Sequence, residues 1–447
     1  MATDSRIATT SSYETSMFAN PWTQLVLGII CMAAVANMQY GWTLFVDPIN
    51  AQYHWGRAAI QVAFTIFVLI ETWLVPVEGY LVDRFGPRPV VFAGGILVAL
   101  AWWLNSLASS LGMLYFAAAL GGVGTGAVYG TCVGNALKWF PTRRGLAAGL
   151  TAAGFGAGAA FTIPPISRMI EASGYQHAFA FFGLLQGLVV LVCSLGLIGA
   201  PLALLAAAPK RSQSARSFRP MEVLSKPVFW VLYLMFVLVA SGGLTLIASM
   251  KPIAADLHVA KLPVSLLGIT MVAGTFALTL QRVFDGVGRP FFGWVSDHIG
   301  RENTMAIAFV IGAIALFILT QSGTNPVVFV LITALYFGVF GEIYSLFPAT
   351  QGDTFGGKFA AANAGMLYTA KGAGSLLVPT ATAMATAHGW NSVFTLAAVF
   401  NLIAAALGLF VLKPMRARHF DQVRAEVAAE SGAQVAAGSG VLHAPTN

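Results

Sequence analysis

The chain alternates between long apolar runs and short polar breaks. Runs of about 20 residues, the length that crosses a bilayer as a helix, fall at roughly 22–46, 58–82, 89–109, 112–138, 145–169, 177–205, 227–250, 263–294, 303–321, 326–349, 360–386 and 390–412. They predict twelve transmembrane helices, because a helix satisfies its own backbone polar groups where no water is at hand. The longest polar break, LAAAPKRSQSARSFRPMEVLSK at 205–226, is basic and rich in Ser and Pro, and it divides the runs six and six. The fold class is therefore an all-α membrane protein of two six-helix bundles. The division is a cytoplasmic N-terminal tail at 1–21, a first bundle at 22–205, a cytoplasmic linker at 206–226, a second bundle at 227–413 and a cytoplasmic C-terminal tail at 414–447. The tail starts charged and becomes Ala/Gly-rich, which reads as mostly disordered.

Composition agrees with the runs. Of 447 residues 57% are hydrophobic and 9% charged, with mean hydropathy +0.76, whereas a soluble domain carries about 25% charged residues. The net charge of +7 invites a nucleic-acid reading, but the placement of the charges removes it. With both termini inside, 17 of the 24 Lys and Arg lie on the cytoplasmic side. Four lie outside (Arg57, Arg168, Lys251, Lys261) and three within the membrane (Arg282, Arg289, Lys371). That is the positive-inside pattern; it gives both termini a cytoplasmic place and no nucleic acid as partner. Residues 1–20 are polar and Ser/Thr-rich, and the run that follows is too long for a signal peptide. No Asn-x-Ser/Thr site occurs, which fits a bacterial inner membrane. Cys31, Cys132 and Cys193 fall in apolar runs and read as small buried hydrophobes.

The chemistry starts with QRVFDGVGRPFFGWVSDHIGR at 281–301, which places Arg282, Asp285 and Arg289 inside an apolar run. A charge in mid-membrane costs about 2.5–3.5 kcal/mol on insertion scales, so such residues are functional candidates. Gln281, Asp285 and Arg289, at i, i+4 and i+8, share a helical face, which has to point into the protein. Arg289 can also serve a structural pair with Asp285. Lys371 sits about eleven residues into its run, too deep for easy snorkelling to the interface.

The two halves echo each other. GYLVDRFGPR at 79–88 and GWVSDHIGRE at 293–302 are offset by 214 residues; at that offset Pro76 matches Pro290 and Glu71 matches Asp285. TAAGFGAG at 151–158 pairs with TAKGAGSL at 369–376. Parallel repeats predict a transporter with its site at the midplane between halves. The loop G-x-x-x-D-R-x-G-x-R resembles the signature of the major facilitator superfamily, in which the Asp pairs with or caps neighbouring helix ends and helps hold the inward gate. The matching residues are Asp83, Arg84, Gly86 and Arg88, then Asp297, Gly300 and Arg301, with His298 in place of the first Arg.

A closer resemblance covers nearly all of the hydrophobic chain. NPWTQLVLGI, MQYGWTLFVDP, YGTCVGNALKWFPTRRGLAAGLTAAGFGAG, GRPFFGWVSDHIGR, YSLFPAT and NAGMLYTAKGAGS are similar to the oxalate:formate antiporter family. That resemblance implies a cavity lined by an Arg of helix eight and a Lys of helix eleven, here Arg289 and Lys371. It further implies Gln39 and Tyr40 from helix one, Tyr129 from helix four and Tyr344 from helix ten. Phe340 and Tyr368 stand where tryptophans occur in the family, a departure that bears on cavity shape. The implied substrates are small organic anions, oxalate and formate, carried by alternating access in a monomer without cofactor or metal. Arg offers a planar fork for one carboxylate and Lys a compact charge for another. Exchange is obligatory if the unloaded carrier, with Arg289 and Lys371 uncompensated, cannot close.

The acids complicate this clamp. Glu71, Glu78, Asp285 and Glu342 lie in apolar runs against Arg282, Arg289 and Lys371. Either some acids are protonated, since burial favours the neutral form, or they pair with the cations, which makes Asp285, Glu71, Glu342 and Arg282 candidates for coupling or ion pairing. D-G-V-G-R-P at 285–290 also resembles the helix-eight motif of proton-coupled monocarboxylate transporters, and this supplies an alternative: lactate, pyruvate or formate moved with a proton. An enzyme reading lacks a catalytic set, because all seven histidines fall in loops or tails and no Cys/His cluster has metal spacing.

Overall fold

A computed structural model describes residues 17–140, 144–201, 216–266, 268–356 and 359–439. The first bundle is built from α1 (Pro21–Tyr53), α2 (57–85), α3 (Pro87–Leu107), α4 (Leu111–Trp139), α5 (Arg144–Ser173) and α6 (Tyr175–Leu195). The second is built from α7 (Pro227–Asp256), α8 (Ala273–Ile299), α9 (Arg301–Ser322), α10 (Pro326–Phe355), α11 (360–388) and α12 (Trp390–Ala406). Among the described residues eight helices are long and apolar enough to cross a membrane. Of the other four, α2 and α11 are broken into shorter pieces, and α8 carries charges in its middle.

Helix packing repeats with a period of six. Within the first half α3 packs on α4 and α6, α2 on α4, and α1 on α5 and α6; in the second, α9 packs on α10 and α12, α8 on α10, and α7 on α11 and α12. Three contacts join the halves: α5 on α8 and α2 on α11, which are each other's counterparts in the repeat, and α1 on α7. Small residues permit the closest approach, as expected where lipid gives no hydrophobic push between helices. A Cβ at Gly288 would collide with the Gly338 carbonyl oxygen, so α8 crosses α10 backbone to backbone. Large apolar side chains such as Phe116, Phe161, Val287, Phe317 and Phe410 are exposed on the perimeter, where acyl chains would cover them.

Several spans are interrupted close to the centre. α2 breaks at Leu74 and α11 at Leu376. Pro76 and Pro379 lie just beyond, each lacking the N–H that would have bonded the carbonyl four residues back. α1 is interrupted at Ala36 and at Gly41–Trp42, and α10 at Gly341–Glu342.

The structure corrects two readings of the pattern. The eighth run, expected as one helix over 263–294, opens with an antiparallel hairpin, β1 (Pro263–Leu266) and β2 (Ile269–Val272); the helix starts only at Ala273. Apolar run length hid this, but Pro263 and the positive φ of Gly268 break helical continuity, and the alternating branched residues suit a strand. The C-terminal tail, read as mostly disordered, continues α12 through a π-helical turn, Leu407–Leu412, into a helix at Lys413–Ser439. An Ala-rich segment attached to a formed helix needs no nucleation, so propensity alone can extend it.

Candidate functional site

The four polar residues of α8 are all buried: Gln281, Arg282, Asp285 and Arg289 are 0–2% exposed. Asp285 sits between two guanidinium groups of its own helix. Its Oδ2 lies 2.9 Å from Arg289 Nη2 and 3.5 Å from Arg282 Nη1. Arg289 also donates from Nη1 to the Ala152 carbonyl of α5 (2.7 Å) and from Nη2 to the Tyr40 hydroxyl of α1 (3.3 Å). Gly156 makes room for this pair, since a Cβ there would stand 3.0 Å from both Arg289 and Asp285. Arg282 is held differently, between rings, with its guanidinium 4.1 Å from the Tyr40 centroid and 4.6 Å from that of Phe337.

Lys371 reaches the same centre from α11. Its ammonium donates to Glu71 Oε2 of α2 (2.8 Å), Gln39 Oε1 of α1 (2.8 Å) and the Tyr368 hydroxyl (3.2 Å). Lys371 and Glu71 are each 1% exposed, so this is a buried ion pair across the two halves. Aromatic rings close the space between the cations. Tyr129 stacks on Tyr368, Tyr344 meets Tyr368 edge-on, and Arg289 lies 4.6 Å from the Tyr344 ring centroid.

The sequence-derived residues thus converge: hydrogen bonds and ring contacts join Arg289, Lys371, Gln39, Tyr40, Tyr129, Tyr344 and Tyr368 into one cluster. Phe340 stands a layer behind, its ring against Tyr336, Tyr344 and Gly243 of α7. Glu71 belongs with the binding residues through Lys371. Glu342 is fully buried, and among the described residues neither of its carboxyl oxygens has a hydrogen-bond partner. The expectation that Arg289 and Lys371 stand uncompensated is wrong, because Asp285 and Glu71 neutralise them. Sequence reasoning left out Phe155, which packs on Tyr40 and Tyr129 and lies 5.8 Å from the Lys371 ammonium, although it sits inside the repeated TAAGFGAG segment.

The gating candidates are less concentrated. Gly86 and Gly300 take positive φ (81° and 91°) and end α2 and α8, which accounts for a Gly in both copies of the loop. In the second copy Arg301 pairs with Asp297 (2.9 Å) and with Asp353 of α10 (3.1 Å), tying the loop to its own half. In the first copy Arg84 and Arg88 are exposed, with Arg84 over the Phe85 ring; the side chain of Asp83 lies outside the described residues.

On the opposite side, residues that sequence reasoning passed over join the halves. Arg57, at the start of α2, pairs with Asp47 of α1 (2.8 Å) and Asp256 of α7 (2.5 Å), and Trp390 donates to Asp256. Gln61 bonds Ala248 O and Ser249 Oγ, and Thr43 accepts from the Lys251 backbone. A signal existed: a cation at a helix N-terminus opposes the macrodipole and calls for nearby acids.

Comparison with known proteins now adds to the geometry. The Major Facilitator Superfamily profile matches residues 25–284 and 234–443. The oxalate:formate antiporter of Oxalobacter formigenes is 35% identical over 408 residues, covering 90% of this chain and 94% of that one. An uncharacterized MFS-type transporter of Escherichia coli, YhjX, is 29% identical over 365 residues (79% and 86%). Human monocarboxylate transporter 11 is 26% identical over 278 residues (62% and 56%).

Proposed function

Because the chain belongs to the oxalate:formate antiporter family of the major facilitator superfamily, we propose that this multi-pass membrane protein exchanges small carboxylates, oxalate against formate, at the volume between Arg282, Arg289 and Lys371. The observation that carries the reading is a set of buried donors without hydrogen-bond acceptors among the described residues: Nε and Nη2 of Arg282, whose Nη1 has only the ion pair to Asp285 at 3.5 Å, Nε of Arg289, Nε2 of Gln39 and the Tyr344 hydroxyl. An unmet buried donor costs about 1–3 kcal/mol, more when charged, and a carboxylate is the acceptor that would satisfy several at once. The aromatic walls limit the length of the substrate.

The charges favour an anion as well. Glu78 and Glu342 are buried and have no hydrogen-bond or ion-pair partner among the described residues, so neither offsets a cation by contact. That leaves three cations against Asp285 and Glu71, a surplus of one positive charge at the centre. Alternating access would open the site in turn to each side, with the Arg57 network and the Arg301 loop at opposite ends. Both termini are assigned to the cytoplasm on the Lys/Arg distribution, and a bacterial inner membrane on the lack of an Asn-x-Ser/Thr site.

A second reading, proton-coupled monocarboxylate transport, is favoured by the pairing of Arg289 and Lys371 with acids of the chain. The two separate in proteoliposomes preloaded with formate, oxalate or buffer, following labelled oxalate uptake with and without a pH gradient. Uptake that needs an internal anion is expected. Absence of oxalate uptake, with acid-driven entry of lactate, pyruvate or formate, would overturn exchange in favour of the second reading.

A further inference from the structure

We propose that Lys251 is an outer anion station: the cation that a carboxylate entering from outside meets first, and from which it passes to the donors of Arg282. This rests on the carboxylate-exchange reading and adds to it the route by which substrate reaches the centre.

Lys251 sits at the seam where α1 and α5 of the first half meet α7 and α8 of the second. Its Nζ donates to Thr275 Oγ1 of α8 (3.2 Å), and Thr275 shares a hydrogen bond with Ser167 of α5 (3.3 Å). Its backbone N–H donates to Thr43 Oγ1 of α1 (2.8 Å). Thr43 lies one turn outward of Tyr40, and Thr275 two turns outward of Arg282, about 10 Å along α8. The ammonium is thus placed on the way from the outer face to the centre, and is no part of the centre itself.

Its bonds leave room for an anion. An ammonium has three donors; here one is met, by the neutral Thr275 hydroxyl, and among the described residues no carboxylate lies at ion-pair distance. The neighbouring cation Arg57, by contrast, holds both Asp47 and Asp256. The carboxylates within electrostatic range of Lys251 are Asp47 of α1 and Glu171 of α5, and both belong to the first half. Asp256, five residues farther along α7, points around the helix from Lys251 and takes Arg57 and the Trp390 indole N–H.

Alternating access makes this division by half consequential. When the halves part at the outer end, Thr43, Asp47, Ser167 and Glu171 leave with the first half, while Lys251 and Thr275 stay with the second. Opening strips Lys251 of both acids that face it and leaves a cation beside a hydroxyl on the wall of the passage. Closing brings the acids back, so the pull on an anion weakens as the passage narrows, and the open donors of Arg282 lie next along α8. A plain latch would use the same bonds, but the two roles differ in sign. Loss of a latch favours the outward-open state and improves entry from outside. Loss of a station impairs that entry, and more so for a dianion, because Coulomb energy is proportional to charge.

The experiment follows labelled oxalate and formate entering formate-loaded right-side-out and inverted membrane vesicles, corrected for vesicles without the protein. In Lys251→Gln, kcat/KM from the outer face should fall about fivefold or more for oxalate and about twofold for formate, and the loss should exceed that at the inner face. Lys251→Arg should retain outer entry. In Lys251→Cys the charge is changed after folding: aminoethyl methanethiosulfonate, which restores a cation, should speed oxalate entry from outside, and the sulfonatoethyl reagent should slow it further, with wild type treated alike as the control. Faster outer entry in Lys251→Gln would make Lys251 a latch and overturn the proposal. Equal losses for oxalate and formate, equal losses at both faces, or a thiol in Lys251→Cys that neither reagent reaches would overturn it too. Failure of the wild type to carry oxalate at all would overturn the exchange reading itself. The reagents compare one inserted protein before and after a change of charge, so that arm decides even if Lys251→Gln fails to insert.

Discussion

Two of the contacts that join the halves, α5–α8 and α2–α11, occupy corresponding places in the repeat, yet they hold charge in opposite ways. At α5–α8 the acid and its two cations share one helix, and the facing helix contributes only the Ala152 carbonyl and the space left by Gly156. At α2–α11 the acid belongs to one half and the cation to the other. The first arrangement is a fixed charge unit that travels with its helix. The second ties the halves together and can be exchanged for another carboxylate. Glu71 and Asp285 correspond in the repeat, so a similar acid has been put to two uses by where its cation sits.

The largest effects should come from the cations. Lys371→Ala and Arg289→Ala are each expected to reduce oxalate exchange by about 100-fold or more, in line with the 2–5 kcal/mol that truncating a buried charge partner costs. Transport per inserted protein is the measurement. The comparison adds a difference between them. Lys371→Ala leaves Glu71 buried and alone, so Lys371→Ala with Glu71→Gln should recover folded yield without recovering oxalate exchange. A double variant no more stable than Lys371→Ala would show that the pair is not coupled.

Next in size is the contrast between the two acids. Asp285→Asn leaves Arg282 and Arg289 as buried like charges, and breaking such a buried pair costs about 3–5 kcal/mol. Glu71→Gln leaves a single Lys that retains Gln39 and Tyr368. Thermal unfolding in detergent should therefore show a clearly larger loss for Asp285→Asn. Equal losses would break the distinction between fixed and exchangeable pairs.

The sequence revealed the residues of the centre better than their bonds. Arg289 and Lys371 are legible because a cation in an apolar run is expensive enough to need a reason. Family resemblance then places Gln39, Tyr40 and Tyr129 around them. The pairing of Lys371 with Glu71 joins residues 300 positions apart, and no local periodicity encodes it. Arg282 could be seen as an intramembrane charge, but its stacking between Tyr40 and Phe337 depends on the crossing of α1, α8 and α10. In the fold, the hairpin before α8 was hidden because hydropathy does not distinguish apolar strand from apolar helix. The Arg57 network was missed because its three members come from three separate span ends.

A smaller effect is expected at that network. Arg57 and its acids are partly exposed, and pairs of this kind contribute about 0–1 kcal/mol, enough to shift a two-state population by about fivefold or less. Arg57→Gln should make a Cys placed at Ser249 react faster with a membrane-impermeant thiol reagent. Unchanged reactivity would mean that the Arg57 network does not hold this end of the two halves together.

The smallest effect should fall on Arg301, and it sharpens the comparison from the other side. Arg301 binds Asp297 and Asp353 within one half, and Asp297 is 63% exposed. Like Asp285 it joins groups that move together, but unlike Asp285 it meets water, so screening leaves each pair about 1 kcal/mol at most. Arg301→Lys keeps the charge and loses the fork that serves both acids. A severalfold slower exchange with unaltered apparent affinity for oxalate is the expected result. If substitution at this loop weakened oxalate binding as Lys371→Ala does, a contact within one half would be acting on the site itself, and division of labour by half would fail as an explanation.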